Sequence, residues 1–233
     1  MSKQYKNDYI YMGYDCNEII LPDDEVRDLG VIMNNKGDYS SHINFVYKKV
    51  KSRMAWILRS FHNRSITFMK FIWKTYLLPI IDYCSQLYSP STGSGLLKLE
   101  NLQKAFTQKV CGIGHLSYWQ RLEKMKLFSI NRRFKRYKMF YVHKILNGKV
   151  HNCGLNWNTT DNAGRLVNMI SVKTFCKKQR EQTFQYIGPR LYNSLLRKLR
   201  DDKSSTMEEW KVLLDRYLAQ IPDCPLTAVE VPG

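Results

Sequence analysis

The chain has 233 residues, 44% of them hydrophobic and 13% aromatic, which is enough apolar material for a buried core and excludes disorder as the default state. Its 37 Lys and Arg outnumber its 20 Asp and Glu and give a formal net charge of +17. This charge disfavours an enzyme for small acidic ligands and favours a polyanionic partner, either nucleic acid or an acidic membrane surface.

The positive charge is concentrated in the middle of the chain. Residues 1–38 contain eight Asp and Glu against four Lys and Arg, and residues 201–233 contain seven against three. The middle therefore carries +25, and its windows 39–81 and 124–160 contain no carboxylate. Solvated surfaces normally mix both signs because like charges repel, so these windows indicate surfaces that meet a partner's phosphates. The alternative is a basic surface without a partner.

The sequence shows no signature of a membrane span or of a secretion signal. Lys70, Lys74 and Asp82 interrupt its most hydrophobic part, and residues 1–20 contain no long apolar block. The six cysteines are scattered, without a Cys-x-x-Cys pair. We therefore expect a soluble intracellular protein of the nucleus or the cytoplasm, with reduced thiols and no membrane partner.

The first elements in chain order are a hairpin and a long helix. Residues 9–14 and 25–33 are short aromatic or β-branched runs separated by turn-forming residues, which predicts the two strands of a β-hairpin. Ser40 or Ser41 is a candidate N-cap, and apolar residues then recur with helical spacing as far as residue 62. This pattern predicts an amphipathic helix.

Residues 65–88 are apolar on nearly every side. The run predicts a central buried helix that Pro79 kinks or breaks, with Trp73, Tyr76 and Tyr83 in the core. Helical spacing then recurs over about 96–110, 118–125 and 130–145, and Ser117 is expected to cap the second of these helices.

The last third of the chain begins with a predicted loop, 149–164, rich in Asn, Thr and Gly. Strands of a second small hairpin are expected within 165–187, at about 165–175 and 181–187, before Gly188-Pro189 opens a helix to about residue 200. Thr206 and Glu209 match a capping box for a last helix over 207–220. The predicted fold class is therefore mainly α, with the predicted domain boundaries 1–38, 39–148, 149–187 and 188–233.

Two helical surfaces are candidates for nucleic-acid contact. Lys49, Arg53 and Trp56 fall at i, i+4 and i+7 and so share one stripe, where cations suit phosphates and an exposed indole suits base stacking. The alternative is that Trp56 packs under a neighbouring element. The second surface, on the helix over 130–145 and away from its apolar stripe, comprises Arg132, Arg133, Lys135, Arg136 and Lys138.

The alternative for the second surface is an ordinary solvated helix face. Such a face usually carries Glu or Asp one turn away from its Lys and Arg, and this helix has none. The sequence therefore predicts that the second surface is the main site of phosphate contact.

Cys111, His115, His151 and Cys153 are the side chains best suited to bind zinc. Their spacings fit no common zinc motif. Because Cys111 ends an apolar helix, we expect a buried thiol there and loop histidines elsewhere, and no bound metal.

Seven segments, in their order and spacing, resemble the reverse transcriptases of non-LTR retrotransposons of the LINE type, in particular the jockey-like ones. They are VRDLGVIM (26–33), RMAWILRSF (53–61), LLPIIDYCSQLYSP (77–90), LENLQKAFTQKVCG (99–112), LSYWQRLEKMKLFSINRRFKRY (116–137), KILNG (144–148) and QREQTFQYIGPRLYNSL (179–195). The resemblance covers nearly the whole chain from about Tyr9. Tyr88 departs from it, since the family tends to have Trp there.

The resemblance implies that the chain is the C-terminal part of an RNA-directed DNA polymerase. In the family, the Asp-Leu-Gly segment, here Asp28, Leu29 and Gly30, lies on the hairpin that supports the primer end. The helices after it form a thumb-like bundle that tracks the template–primer duplex. The fingers, most of the palm and the endonuclease would lie upstream of Met1.

Polymerisation in this family uses carboxylates that hold two metal ions, two of them in a Tyr-x-Asp-Asp turn. This sequence has no such turn, and Asp23 and Asp24 after Leu21-Pro22 are predicted to form a solvated β-turn. We therefore expect no catalytic residue and no cofactor, with Mg²⁺ relevant only if the missing palm is supplied.

The leading interpretation is a non-catalytic reverse transcriptase fragment that binds RNA/DNA or other duplex nucleic acid through its backbone and shape. The remainder of the reverse transcriptase is a second expected partner. Two alternatives stay open. One is a polymerase completed by an upstream or trans-supplied palm, and the other is a helical protein–protein interaction module with an acidic partner.

Overall fold

The structure, a computed structural model, describes residues 9–12, 17–20, 24–35, 37–88, 93–150, 157, 169–170, 183–202 and 206–223. Within these ranges the chain is mainly helical and begins with antiparallel β-hairpin structure, which confirms the predicted fold class. The same ranges contain no helix whose length and apolar character would let it cross a membrane.

The N-terminal region folds into two hairpins. Strand β1 (Tyr9–Met12) pairs with β2 (Asn17–Ile20), and β3 (Glu25–Asp28) pairs with β4 (Val31–Asn34). The predicted pairing of 9–14 with 25–33 was therefore wrong. The run 9–14 instead pairs with residues 17–20, and the run 25–33 supplies strands on both sides of the second hairpin. Pairing between segments that are close in sequence costs less loop-closure entropy than pairing across a longer connection.

Helix α1 spans Ser40–Ser60, close to its predicted bounds. The N-cap is Tyr39 rather than a serine, and the Asp38 carboxylate accepts hydrogen bonds from the backbone N–H (3.1 Å) and the hydroxyl (2.6 Å) of Ser40. A carboxylate here also complements the positive end of the helix dipole. One face of α1 enters the core through Ile43, Val46, Val50 and Ile57.

The run predicted as one buried helix is divided into four pieces. They are α2 (Ile66–Ile72), a π-helical segment (Trp73–Leu77), α3 (Leu78–Asp82) and α4 (Ser85–Tyr88). Pro79 cannot donate a backbone hydrogen bond, so the regular ladder ends beside it, as predicted. The adjustment lies one turn earlier, where the Leu78 N–H bonds to the carbonyl of Trp73, five residues back.

The π-helical segment changes which aromatic side chains are buried. Trp73 is fully buried, as predicted, but Tyr76 and Tyr83 are each 54% exposed, so their assignment to the core was wrong. One extra residue in a helical turn rotates the side chains that follow, and apolar composition alone does not reveal this rotation.

Helices α5 (Gly93–Gln108) and α6 (Tyr118–Met125) complete the first hydrophobic core. Leu99 and Phe106 of α5 are fully buried, in agreement with the predicted spacing. Ser117 caps α6 in a capping box with Gln120, which confirms the predicted cap.

Helix α7 (Ile130–Leu146) connects two cores. Its Ile130 and Phe134 pack in the first core with α1 to α6, whereas Met139 and Val142 pack in a second core. A helix that is buried on two sides has little surface left for solvent, and this determines the environment of its basic residues.

Among the described residues, the second core is built mainly by three C-terminal helices that pack on α7. They are α8 (Phe184–Asn193), α9 (Arg197–Arg200) and α10 (Met207–Gln220), and α10 starts with the predicted Thr206–Glu209 capping box. At its centre, buried Trp210 stacks on His143 with ring centroids 3.8 Å apart and donates a hydrogen bond to the Leu199 carbonyl at 2.8 Å.

Helix α8 begins four residues before Gly188, so the predicted strand was wrong for residues 184–187 and Pro189 lies inside the helix. A Cβ atom at Gly188 would lie 2.9 Å from the Val142 side chain, so glycine lets α8 approach α7 closely. The other residues predicted for the loop 149–164 and the second hairpin lie largely outside the described ranges. The domain boundaries stay a prediction.

Candidate nucleic-acid interface

Arg132 and Arg136, which were predicted on an exposed basic face, are buried against α10. Their exposed fractions are 9% and 6%. Arg132 donates to backbone carbonyls at the end of α10, and its Nε lies 3.3 Å from a carboxylate oxygen of Asp223. Arg136 forms a two-point ion pair with Asp215, with Nη2 2.8 Å from Oδ2. Both guanidinium groups are therefore already neutralised within the chain.

The other basic residues of this predicted surface are also mostly occupied. Arg133 binds the Asp82 carboxylate at two points, with Nε 3.3 Å from Oδ1, and the Tyr137 hydroxyl donates to the same carboxylate at 3.0 Å. Lys138 is only 7% exposed, and its burial lowers the pKa of its ammonium group to about 8. Lys135 alone is exposed. The prediction of an exposed basic surface on α7 was wrong for the other four residues.

The carboxylates that pair with α7 come from distant parts of the sequence. Asp82 lies 51 residues before Arg133, and Asp215 lies 79 residues after Arg136. Arg133 and Arg136 need no acid one turn away on α7, because the tertiary fold brings Asp82 and Asp215 to them. The sequence signal for the contact between α7 and the C-terminal segment was the opposite net charge of residues 39–200 and residues 201–233.

Lys49, Arg53 and Trp56, which we call the α1 stripe, lie exposed along one face of α1. Neither cation forms an ion pair with a described residue. Trp56 is 58% exposed, and its ring meets the Phe61 ring edge-on with 6.3 Å between the centroids, so it does not pack under a neighbouring element. The α1 stripe therefore presents to a partner an accessible indole and two exposed cations that have no ion-pair partner among the described residues.

The Asp-Leu-Gly segment forms the turn between β3 and β4. Leu29 (φ 45°) and Gly30 (φ 85°) both have positive φ, as in the type I′ turns that suit two-residue hairpins. Asp28 ends β3, and Leu29 projects from the tip with 82% of its surface exposed. The Tyr83 hydroxyl donates to the Leu29 carbonyl at 2.7 Å, which fixes the turn to the end of α3.

A groove of about 420 Å³ lies between this turn, α1 and the π-helical segment, and we call it the tyrosine groove. Its basic side chains are Arg27, Lys49 and Arg53, and its aromatic ones are Phe45, Tyr76 and Tyr83. No described carboxylate lines it. Arg27 and Lys49 lie over the Phe45 ring, at 5.2 and 5.6 Å from its centroid, which holds both cations along the groove.

His42 forms part of the wall of the tyrosine groove and is 2% exposed. Its Nδ1 accepts a hydrogen bond from the Ile32 N–H at 3.4 Å, which places the ring proton on Nε2. The His42 ring meets the Tyr88 ring edge-to-face, with 4.6 Å between the ring centroids. Its Nε2 is buried and has no hydrogen-bond partner among the described residues. Burial, together with the nearby charge of Arg27, lowers the pKa of His42 and keeps the ring neutral.

Metal-binding groups are absent from the described ranges, where no cluster of three or more His, Cys, Asp or Glu side chains could hold a metal ion. Cys111 is exposed in the turn after α5, so the expectation of a buried thiol was wrong. His115 is exposed as well, and His151 and Cys153 lie outside the described ranges.

Two buried titratable side chains serve the cores rather than the interface. Glu100 accepts hydrogen bonds from the Tyr118 hydroxyl and from the first N–H groups of α7, at Ile130 (3.3 Å) and Asn131 (3.2 Å). Burial raises the pKa of Glu100 to about 7, although these bonds act in the opposite direction. Burial lowers the pKa of His143 to about 4.

Comparison with known proteins places the chain beside an uncharacterised protein of Caenorhabditis elegans. The two are 24% identical over 130 residues, which are 54% of this chain and 66% of the relative. The chain thus spans about two thirds of the length of this curated relative. No protein-family model matches the chain, and no solved structure matches it.

Proposed function

We propose that the chain binds duplex nucleic acid, in particular an RNA/DNA hybrid, through the α1 stripe. The observation that carries this proposal is the contrast between the two predicted basic surfaces. Of the five α7 residues, Arg132, Arg136 and Lys138 are buried and Arg133 is half-buried, and all three arginines are in ion pairs. Lys49 and Arg53, in contrast, are exposed and unpaired among the described residues. Free cations gain the most from phosphates because they lose no internal partner.

The chemistry of the α1 stripe favours recognition without sequence preference. Lys and Arg on an exposed helix face contact phosphates, which are the same in every sequence, and Trp56 supplies a flat apolar contact to sugar or base. No carboxylate occurs between residues 39 and 81, so neither α1 nor the π-helical segment repels a polyanion.

The proposal agrees with the resemblance to non-LTR retrotransposon reverse transcriptases. In that interpretation β3 and β4 form the hairpin beside the primer end and α1 is the first helix of the thumb. The protein acts inside the cell, on template–primer duplex or with the rest of a reverse transcriptase. The chain lacks the Tyr-x-Asp-Asp turn and is not a polymerase on its own.

The test is the salt dependence of binding to a blunt RNA/DNA hybrid, measured by fluorescence anisotropy. Each phosphate contact contributes roughly 0.9 to the slope of log affinity against log salt on B-form DNA, and a similar value is expected for a hybrid. The double reversal Lys49→Glu and Arg53→Glu should weaken binding to unrelated sequences equally and flatten the slope by about two contacts. Trp56→Ala should weaken binding without changing the slope, because the indole is uncharged.

The matched control reverses Lys198 and Arg216, which are exposed on the C-terminal helices and give the same change in net charge. This control should bind nearly as the wild type does. Unchanged affinity and slope for a folded variant of Lys49 and Arg53, or an equal loss in the control, would refute the α1 stripe as the duplex surface.

A further inference from the structure

We infer that the tyrosine groove binds one unpaired nucleotide next to the duplex, with its base on the tyrosine rings and its phosphate at the basic wall. This inference rests on the proposed function, since the basic wall shares Lys49 and Arg53 with the α1 stripe. It goes beyond that function because backbone contacts do not require a base, whereas the tyrosine groove would recognise one.

The size and lining of the groove match a nucleotide. Its volume of about 420 Å³ falls in the range of small-ligand sites. The lining combines cations with aromatic rings and contains no described carboxylate, so an anionic phosphate and a flat base are each accommodated. A purely apolar ligand would leave Arg27, Lys49 and Arg53 without a counter-charge.

The tyrosine rings are exposed and at least one is held in place. Tyr76 and Tyr83 each keep 54% of their surface exposed, whereas Trp73 beside them is fully buried. The hydroxyl of Tyr83 is tied to the Leu29 carbonyl, and its ring lies against Gly30, so the ring loses little freedom when a base stacks on it. The π-helical segment presents Tyr76 at the groove, and such segments occur frequently at functional sites.

The experiment compares two single strands of equal charge, a twelve-nucleotide oligothymidylate and the same length of abasic backbone, by fluorescence anisotropy at one salt concentration. The wild-type chain should bind the thymidine strand roughly 5- to 100-fold more tightly, as expected for a stacked base. Tyr76→Ala should reduce this ratio to near one, and Tyr76→Phe should retain it, because phenylalanine keeps the ring.

Phe71→Ala is the matched control, since Phe71 is 57% exposed and does not line the groove, and it should keep the wild-type ratio. Far-UV circular dichroism and urea unfolding establish that each variant is folded. A wild-type ratio near one, binding of neither strand, or a ratio that survives Tyr76→Ala would overturn the inference. Binding of the blunt hybrid reports separately on the proposed function, because a blunt duplex offers no unpaired base.

Discussion

The ion pair between Arg136 and Asp215 can be tested by removing each partner in turn. The Arg136 side chain is 7% exposed and the Asp215 side chain is 38% exposed, so the two charges differ in their access to water. Asp215→Leu places a good helix former in α10 but leaves a buried guanidinium group without its carboxylate. Arg136→Met leaves a carboxylate that water can still reach.

The two substitutions should therefore have unequal costs. Breaking a buried ion pair typically costs 3–5 kcal/mol, because the remaining charge is uncompensated. The Tyr137 ring, 5.5 Å from the Arg136 guanidinium carbon, offsets roughly 0.5 kcal/mol. We expect about 3 kcal/mol for Asp215→Leu and about 1 kcal/mol for Arg136→Met, whose remaining carboxylate is partly hydrated. The double variant should recover most of the loss, since no isolated charge remains.

Urea unfolding followed by far-UV circular dichroism measures these differences. With a slope of about 2 kcal/mol per molar urea, Asp215→Leu should lower the midpoint by about 1.5 M and Arg136→Met by about 0.5 M. If Arg136→Met costs as much as Asp215→Leu, or if neither costs more than about 0.5 kcal/mol, then the Asp215 carboxylate does not compensate a buried charge on Arg136.

Four further outcomes are expected. The pKa of His143 is lowered by burial from 6.5 to about 4, so its contribution to stability is complete above pH 6.5 and is lost as the pH falls towards 4. The wild type should therefore lose free energy of unfolding of the order of 3 kcal/mol over this range, and His143→Phe should not show this loss. The pKa of Glu100 is raised by burial from 4.5 to about 7, so its contribution to stability is complete below pH 4.5 and is lost as the pH rises through 7. Glu100→Gln should abolish that decline in the free energy of unfolding. Because His143 and Glu100 affect stability in opposite pH directions, each effect is measured as the difference between the variant and the wild type. Leu29→Asn should stabilise the chain by about 0.5–1 kcal/mol in urea unfolding, because asparagine tolerates positive φ better than leucine; a loss of that size would instead mean that the leucine side chain makes a stabilising contact. Purified protein should extend no primer with Mg²⁺ or Mn²⁺, and template-dependent incorporation would contradict this.

Features encoded by local periodicity were predictable from the sequence. The spacing of apolar residues in α1 and α5 and the caps at Ser117 and Thr206 depend on neighbours within one or two turns, and the structure has these elements near their predicted bounds. The exposure of Tyr76 and Tyr83 could not be predicted in the same way. It depends on one extra residue in a helical turn, and a run that is apolar on every side contains no periodic signal for that residue.

The pairing of α7 was hidden for a different reason. Charge patterns along a helix report only on neighbours three or four residues away, whereas the partners of Arg132, Arg133 and Arg136 lie more than 50 residues away in sequence. The net negative charge of residues 201–233 was evident in the sequence, but helix packing determines which of these acids meets which arginine of α7. The sequence pattern therefore marked both helices as basic but favoured α7, whose arginines the fold places in ion pairs.

The structure supplies the criterion that decides it. The window 124–160 contains no carboxylate, yet α7 packs against Asp82 and against the acidic segment that follows residue 200, so its three arginines are neutralised by tertiary contacts. The window 39–81 supplies both helical walls of the tyrosine groove, α1 and the π-helical segment. The β3–β4 hairpin forms the third side through Arg27 and Gly30, and no described carboxylate lines the groove. A carboxylate-free window therefore indicates a polyanion-binding surface only where its tertiary neighbours lack carboxylates too. Lys49 and Arg53 meet this condition, and their unpaired charge makes the α1 stripe, rather than α7, the surface on which the nucleic-acid proposal depends.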